Sequence, residues 1–430
     1  MKTKWLAITT AALSIALLGC PPKGEQGSAG GNASTGTGEI LIGEYGSLSG
    51  PQATFGTSTH EGITLAMEEI NAAGGVNGRK IALKTEDDQS KQEEAANAVT
   101  KLISQNNVVA VLGEVASSSS LAAAPICQSN KVPMITPSST NDEVTKKGDY
   151  IFRMCFVDSY QGENQAKFAA SWTGKNKKPK TAAILTDVKS DYSQGLGKVF
   201  KDVFTKSGGK IVAENSYSNG DSDFRSQLTA VKSANPSLIF VPGYYTDIGQ
   251  IASQSRDLGI TQPLLGGDGW ESPKLIEIGG KALEGSFYTN HYFVGDPAPT
   301  VRDFVTKYEK RWSHKPDALA ALGYDAMKVL GDALKRAKKI DGPSIRDAIA
   351  TTKNFDGVTG RITLGPDRNP IGKKLVVEEI KGGQLTLLDT IDPMAQANAV
   401  AAPLTDTASA VAPPLTDTAS SKTTTTAPPK

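Results

Sequence analysis

The sequence predicts an α/β fold of two lobes, each built on a mainly parallel sheet. Three observations predict it. Short apolar runs alternate with amphipathic stretches of helical spacing between residues 40 and 265. The alternation forms two successive β-α-β-α-β runs. The runs end in corners rich in Gly, Ser and Thr, which is where open α/β sheets place their binding residues.

The elements follow in order. Ile40–Gly43 is a short apolar run bounded by Gly. From His60 to Ala73, Ile63, Met67 and Ile70 recur at spacings of four and three, which predicts an amphipathic helix ended by Gly74-Gly75. Ile81–Thr85 alternates as a strand does, Lys91–Gln105 is helical, and Val108–Gly113 reads as a buried strand. A helix over Ser120–Gln128 and a strand at Met134-Ile135 follow. After a polar loop come strands at Ala182–Leu185, Lys210–Ala213, Leu238–Val241 and Pro263–Leu265. Helices near Gln194–Thr205, Asp223–Lys232 and Ile248–Leu258 separate them. Tyr288–Phe293 then precedes three helices, near Thr300–Trp312, Leu319–Lys339 and Pro343–Ala350. Arg361–Leu364 and Val376–Ile380 read as a closing β pair. The expected division is residues 39–160 with 291–365 as the N-terminal lobe, and 161–290 with 366–393 as the C-terminal lobe. Several crossings between lobes make a hinge.

Composition narrows the function classes. The 430 residues carry 46 Lys+Arg against 45 Asp+Glu, a formal charge of +1, so no basic excess favours nucleic-acid binding. Three cysteines are too few for a disulfide-built scaffold. His60, His291 and His314 lie far apart and share no metal-ligand spacing, so no metal and no cofactor are expected.

The two ends read differently from the middle. Lys2 and Lys4 precede an uncharged stretch from Trp5 to Gly19, too short for a comfortable membrane span. It stops at Leu17-Leu18-Gly19-Cys20, which resembles a bacterial lipobox. That resemblance implies cleavage after Gly19 and lipidation of Cys20; an ordinary cleaved signal is the competing reading. Two or more acyl chains would hold the protein stably on a membrane. Residues 21–38 are Gly/Ser/Ala-rich and read as a flexible tether. Residues 394–430 repeat Pro-Leu-Thr-Asp-Thr-Ala-Ser at 403–409 and 414–420 and read as a disordered tail.

The chemistry lies in the corners. Gly113–Ser120 follows a strand and precedes a helix, and carries four serines. Hydroxyls and free N–H groups at a helix start suit a carboxylate, and a plain N-cap is the equal alternative. No GxxxxGK[ST] occurs, which disfavours a phosphate loop. Thr136–Thr140 emerges at the same sheet end; alone it reads as a turn, beside the first corner as a second donor cluster. Tyr244-Tyr245 and Gly266-Gly-Asp268-Gly-Trp270 end two strands of the second lobe. Asp268 is either a turn residue or, opposite the serine-rich rim, the partner of a ligand ammonium.

With these residues in view, the chain resembles the Leu/Ile/Val-binding family of ABC-transporter receptors, the periplasmic-binding-protein type I fold. The resemblance rests on an ordered set: Gly46–Pro51, Asn71–Val76, Asp87-Asp88, Ser117–Ser120, Thr136–Asn141, Gly243–Tyr245 and Gly323–Asp325. It implies two doubly wound lobes with a multi-strand hinge and an amino acid bound in the cleft between them. It implies further that Ser117 and Thr140 hold the ligand carboxylate, that the backbone at Ser138 and the Asp268 carboxylate take the ammonium, that Tyr192 and Tyr244 close over the ligand from the second lobe, and that Phe55 walls the side-chain pocket from the first. Ala116 and Ser139, in the same two corners, complete the expected site. Asp268 is one methylene shorter than the Glu often found there, and Trp270 either narrows the pocket or packs.

The function so implied is a monomeric, exported, lipid-anchored receptor, periplasmic or cell-surface, that delivers a branched-chain or other apolar amino acid to ABC permease subunits. Amides, urea or aromatic acids are alternative ligands, and a sensing module for a separate signalling partner is an alternative role. An enzyme is disfavoured, because no nucleophile elbow, metal-binding helix or dispersed Ser/His/Asp set is found. Export permits a disulfide between Cys127 and Cys155; two small buried residues is the default expectation.

Overall fold

A computed structural model describes residues 38–171 and 181–393. The signal segment with Cys20, nearly all of the tether and the repeat tail lie outside the described residues. The first sheet is wholly parallel and takes the order β2-β1-β3-β4-β5. Its strands are β1 Ile40–Gly46, β2 Ile81–Asp87, β3 Ala110–Leu112, β4 Met134–Thr136 and β5 Ile151–Arg153. Helices α1 Ala53–Ala72, α2 Gln92–Ser104 and α3 Ser117–Ser129 connect them. In β1 the side chains of Ile40 and Ile42 point into the core, as the alternation of a strand requires.

The chain then crosses to a second, seven-stranded sheet. Its elements run α4 Asp158–Ser171, β6 Thr181–Asp187, α5 Asp191–Lys206, β7 Lys210–Tyr217, α6 Arg225–Ala234, β8 Leu238–Phe240, α7 Tyr245–Asp257, β9 Leu264–Gly266, α8 Pro273–Gly279 and β10 Phe287–Asn290. A second crossing leads to α9 Pro299–Trp312, α10 Ala318–Arg336 and α11 Gly342–Ala350, whose apolar faces join one core with Ile40, Ile63 and Ile81 of the first sheet and its helices. After the hairpin β11 Phe355–Gly357 and β12 Gly360–Ile362, a third crossing returns to β13 Leu375–Lys381 and β14 Gln384–Ile391. The order of the second sheet is β14-β13-β10-β9-β8-β6-β7, with β13 and β14 antiparallel at one edge.

Several expectations are corrected. Residues Arg361–Leu364 and Val376–Ile380 do not pair: β12 pairs with β11, and β13 lies between β10 and β14. Helix α4 and strands β5 and β14 escape the sequence reading, and α3 starts at Ser117, three residues before the expected start. Cys127 and Cys155 are free, buried thiols in two different apolar clusters, which is the default expectation and not the disulfide. Burial pushes both thiols up, Cys155 to about 12, so neither is a ready nucleophile.

The seat of the first lobe is the contact between α1 and α10. A Cβ on Gly62 would lie 2.0 Å from the Ala320 carbonyl oxygen, and one on Gly323 would lie 2.6 Å from that of Thr59. Glycine at both positions lets the backbones approach to a distance no side chain permits. Asp317 caps α10 by accepting from the Ala320 N–H at 2.8 Å, which fixes the helix start beside the cleft. Gly62→Ala therefore lowers the thermal unfolding midpoint, by the equivalent of about 1–3 kcal/mol for overpacking. An unchanged midpoint would show that the two helices separate freely.

Candidate functional site

The two serine-rich corners of the first lobe are knitted together through one buried residue, Glu114. Ala116, without a side-chain acceptor, is the N-cap of α3, so the cap reading of the serines fails and the first-turn amides are uncapped. Glu114 instead holds the backbone just before the helix. Its Oε1 accepts from the Ser47 N–H at 3.0 Å, and its Oε2 accepts from the Ala116 N–H. The Ser47 hydroxyl lies 2.9 Å from Asp88 Oδ1 and 3.0 Å from Glu114 Oε1. Burial, and then the neighbouring Asp88, push Glu114 well above the carboxylate range; burial pushes Asp88 up to about 6. The second corner ties onto the first, with Thr136 Oγ1 and Ser139 Oγ donating to the Glu114 carbonyl at 2.5 and 2.8 Å.

These bonds decide which hydroxyls remain for a ligand. Ser139 and Ser120 are spent on the loop and on each other, 2.7 Å apart. Ser139 therefore does not line the cavity, and Ala116 faces a polar groove outside it. Ser117, Ser138 and Thr140 do face the cavity, and the buried Ser138 hydroxyl has no partner among the described residues.

The opposite wall comes from the second lobe. Tyr192, in the first turn of α5, and Tyr244, the N-cap of α7, stack with centroids 5.4 Å apart. Tyr244 meets Phe55 edge to face at 5.5 Å. The Tyr192 hydroxyl accepts from the Gly269 N–H at 3.1 Å, so its ring rather than its oxygen forms the wall. A Cβ on Gly269 would fall 2.7 Å from the Gly243 carbonyl, which is why the turn carries glycine there. Trp270 packs rather than narrows the pocket: it is fully buried, and its Nε1 donates to the Val241 carbonyl at 3.0 Å.

Asp268 is held from two sides. Gln161 Nε2 donates to Oδ1 at 2.7 Å, and His291 Nε2 lies 3.1 Å from Oδ2. Asp158 lies nearby, fully buried, with neither carboxyl oxygen hydrogen-bonded among the described residues. Burial, then Asp268, push it well above the carboxylate range. Phe55, Ser117, Ser138, Thr140, Tyr192, Tyr244 and Asp268 thus line one cavity, joined by Val115, Gly269 and Leu319, which the sequence reading missed. With the lobes in this position the enclosed space is only about 10 Å³, room for roughly one water.

The lobes are closed over it. Ser118 Oγ donates to Asp191 Oδ2 at 2.7 Å and accepts from the Asp191 N–H at 2.9 Å. Asn141 Nδ2 donates to the Asp191 carbonyl at 2.8 Å, and Thr246 Oγ1 to that of Pro51 at 2.6 Å. A cavity roofed by hydroxyls of one α/β lobe and an acid of the other, shut by bonds across the cleft, is the arrangement of a solute receptor. The model of one such family, described as periplasmic binding protein, matches residues 39–384. The chain belongs to that family.

A Leu/Ile/Val-binding protein homolog of Brucella melitensis is 29% identical over 335 residues, which is 77% of this chain and 89% of that protein. The solved leucine-binding protein LivK of Thermotoga maritima is 40% identical with a TM-score of 0.78, covering 83% of this chain and 99% of that one. A solute-binding protein of Rhodopseudomonas palustris, solved with 3,4-dihydroxybenzoic acid, is 25% identical with a TM-score of 0.73, covering 82% and 97%.

In this binding protein one more acid joins the lobes. Glu271 Oε1 accepts from the Ala318 N–H at 3.1 Å, at the start of α10, while Oε2 accepts from the Tyr288 hydroxyl at 2.7 Å and Asn290 Nδ2 at 2.8 Å. Burial, and then Glu378, push Glu271 up to about 8. The folded state therefore keeps a proton that the unfolded chain loses near pH 4.3. Stability falls as pH rises from there to about 8. A thermal melt series should show the midpoint dropping by a few degrees over this window, with the drop reduced in Glu271→Gln. An equal drop in both proteins would remove Glu271 from the account.

Proposed function

We propose that this chain is an extracytoplasmic receptor of an ABC importer, which closes on an apolar, branched-chain-type α-amino acid and delivers it to membrane permease subunits. The observation that carries the reading is the polarity of the closed cavity. Ser117 and Thr140, with the uncapped start of α3, stand on one side, and the Asp268 carboxylate stands on the other. A helix N-terminus and hydroxyls favour a carboxylate, and a carboxylate favours an ammonium. Phe55, Leu319 and Tyr244 leave an apolar surface for the side chain.

The magnitudes are sufficient. Micromolar affinity corresponds to about 8 kcal/mol. Hydrogen bonds to charged groups contribute roughly 1.5–3 kcal/mol each, and a buried branched side chain a similar amount, against the cost of ordering. No reaction is needed. The names of the Brucella and Thermotoga relatives support a leucine-class ligand. In this reading residues 39–160 with 291–365 and 161–290 with 366–393 are the moving lobes, and Cys20 carries the lipid anchor. The receptor acts as a monomer.

An aromatic acid is the second reading, supported by the dihydroxybenzoate complex of the Rhodopseudomonas relative. Asp268 weighs against it, because a ligand with a carboxylate and no ammonium gains nothing from a buried acid. Calorimetry with leucine, isoleucine, valine, benzoate and 3,4-dihydroxybenzoate separates the two. Micromolar binding of a branched-chain amino acid is expected, weakened at least about 30-fold in Asp268→Ala, as for loss of one partner of a buried charge pair. Heat from the benzoates and none from the amino acids would overturn the proposal.

A further inference from the structure

We propose that His291 is the positioning residue of the ammonium-binding acid: its ring N–H holds Asp268 in place, and a proton on the ring competes with the ligand ammonium for that carboxylate, so that acid releases the ligand. This rests on the reading of the cavity given above and goes beyond it, to the pH control of the same site.

The first support is placement. His291 directly follows β10, at the point where the chain leaves the second sheet. Asn290 before it pairs with Val376 of β13, whereas Tyr292 after it belongs to the first-lobe core and donates to the Pro316 carbonyl at 3.1 Å. The ring stacks on Phe156 with centroids 3.9 Å apart. Phe156 lies in another crossing segment and packs on Leu375 and Val377 of β13. His291 is thus wedged among the segments on which the lobes turn, while its Nε2 touches the acid that faces the ligand.

The second support is the state of the ring. Asp268 Oδ2 is an acceptor, so Nε2 carries the hydrogen and Nδ1 is bare in the neutral form. Nδ1 is buried and has no hydrogen-bond partner among the described residues. A second proton would create a buried N–H with no acceptor in the closed form. The charged groups around the ring divide. Asp268, on the 3₁₀ turn after β9, favours the protonated ring, with Asp158 of α4 beyond it. Lys373, in the segment before β13, opposes it. Burial outweighs Asp268 and lowers the ring below its ordinary value. Gln161 supplies the other clamp on Asp268, and it does not titrate.

The sign follows. On this proposal the ring reaches water when the lobes open, so a proton favours the open form and the ligand favours the closed form. With an ordinary imidazole value of about 6.5 in the open form, affinity weakens roughly tenfold between pH 7 and pH 5.5. Over that interval an α-amino acid keeps both its charges. Other buried acids titrate nearby in pH, so the comparison is made between variants.

The test is leucine calorimetry of the whole protein at pH 7 and pH 5.5, with melting curves checking that each variant is folded. His291→Gln presents an amide N–H where Nε2 stood and does not titrate. It should bind within about threefold of the parent at pH 7 and lose the acid weakening. His291→Phe keeps the stack on Phe156 without the donor, and should bind about tenfold more weakly at both pH values. Acid weakening retained in His291→Gln, or full affinity at pH 7 in His291→Phe, would overturn this inference while leaving the amino-acid reading intact. No heat with any amino acid at pH 7 would overturn both.

Discussion

The site depends on one constraint: the Asp268 carboxylate is taken out of water, and everything that touches it must make that tolerable. A buried carboxylate without partners costs several kcal/mol. Here Gln161 and His291 each supply a donor, while its open side faces the cavity. In the proposed reading, a ligand ammonium meets the remaining demand for a cation. On the other wall the first-turn amides of α3 are uncapped, and the buried Ser138 hydroxyl has no partner among the described residues. In the proposed reading a zwitterion answers both walls at once, and neither wall is complete without the other lobe.

The fold supplies the stiffness this needs. Each lobe holds its corner by bonds buried beneath the cavity: Glu114 ties Ser47, Ala116 and both serine-rich corners together, and the Tyr192 hydroxyl pins Gly269 beside Asp268. Few groups are then left to reorganise when the lobes meet. Contacts across the cleft include hydrogen bonds from short side chains to backbone, such as Asn141 to the Asp191 carbonyl and Thr246 to that of Pro51. Bonds of that kind contribute about 1 kcal/mol each, so they close the cleft without locking it.

Much of this was legible in the sequence, and the losses have physical causes. The repeating strand and helix periods gave the two mainly parallel sheets, and the corners at Ser117, Thr140, Tyr244 and Asp268 were found because they end strands. Helix α4 was missed because its inner face is built of Gly162, Gln165, Ala166 and Ala169, which make no strong apolar stripe. Strand β14 was missed because its leucines at 385, 387 and 388 are largely exposed and follow no clean alternation. Ser139 was placed in the cavity by residue type alone, whereas neighbouring side chains point in different directions. Gln161 and His291 left no local signal: they reach Asp268 across 107 and 23 residues of sequence.

A crystal structure of the protein grown with leucine tests the central claim most directly. The account predicts one leucine in the closed cleft, its ammonium within hydrogen-bond distance of the Asp268 carboxylate and its carboxylate on Ser117 and Thr140. A ligand bound the other way round, or held outside the cavity with Asp268 facing no positive group, would contradict it.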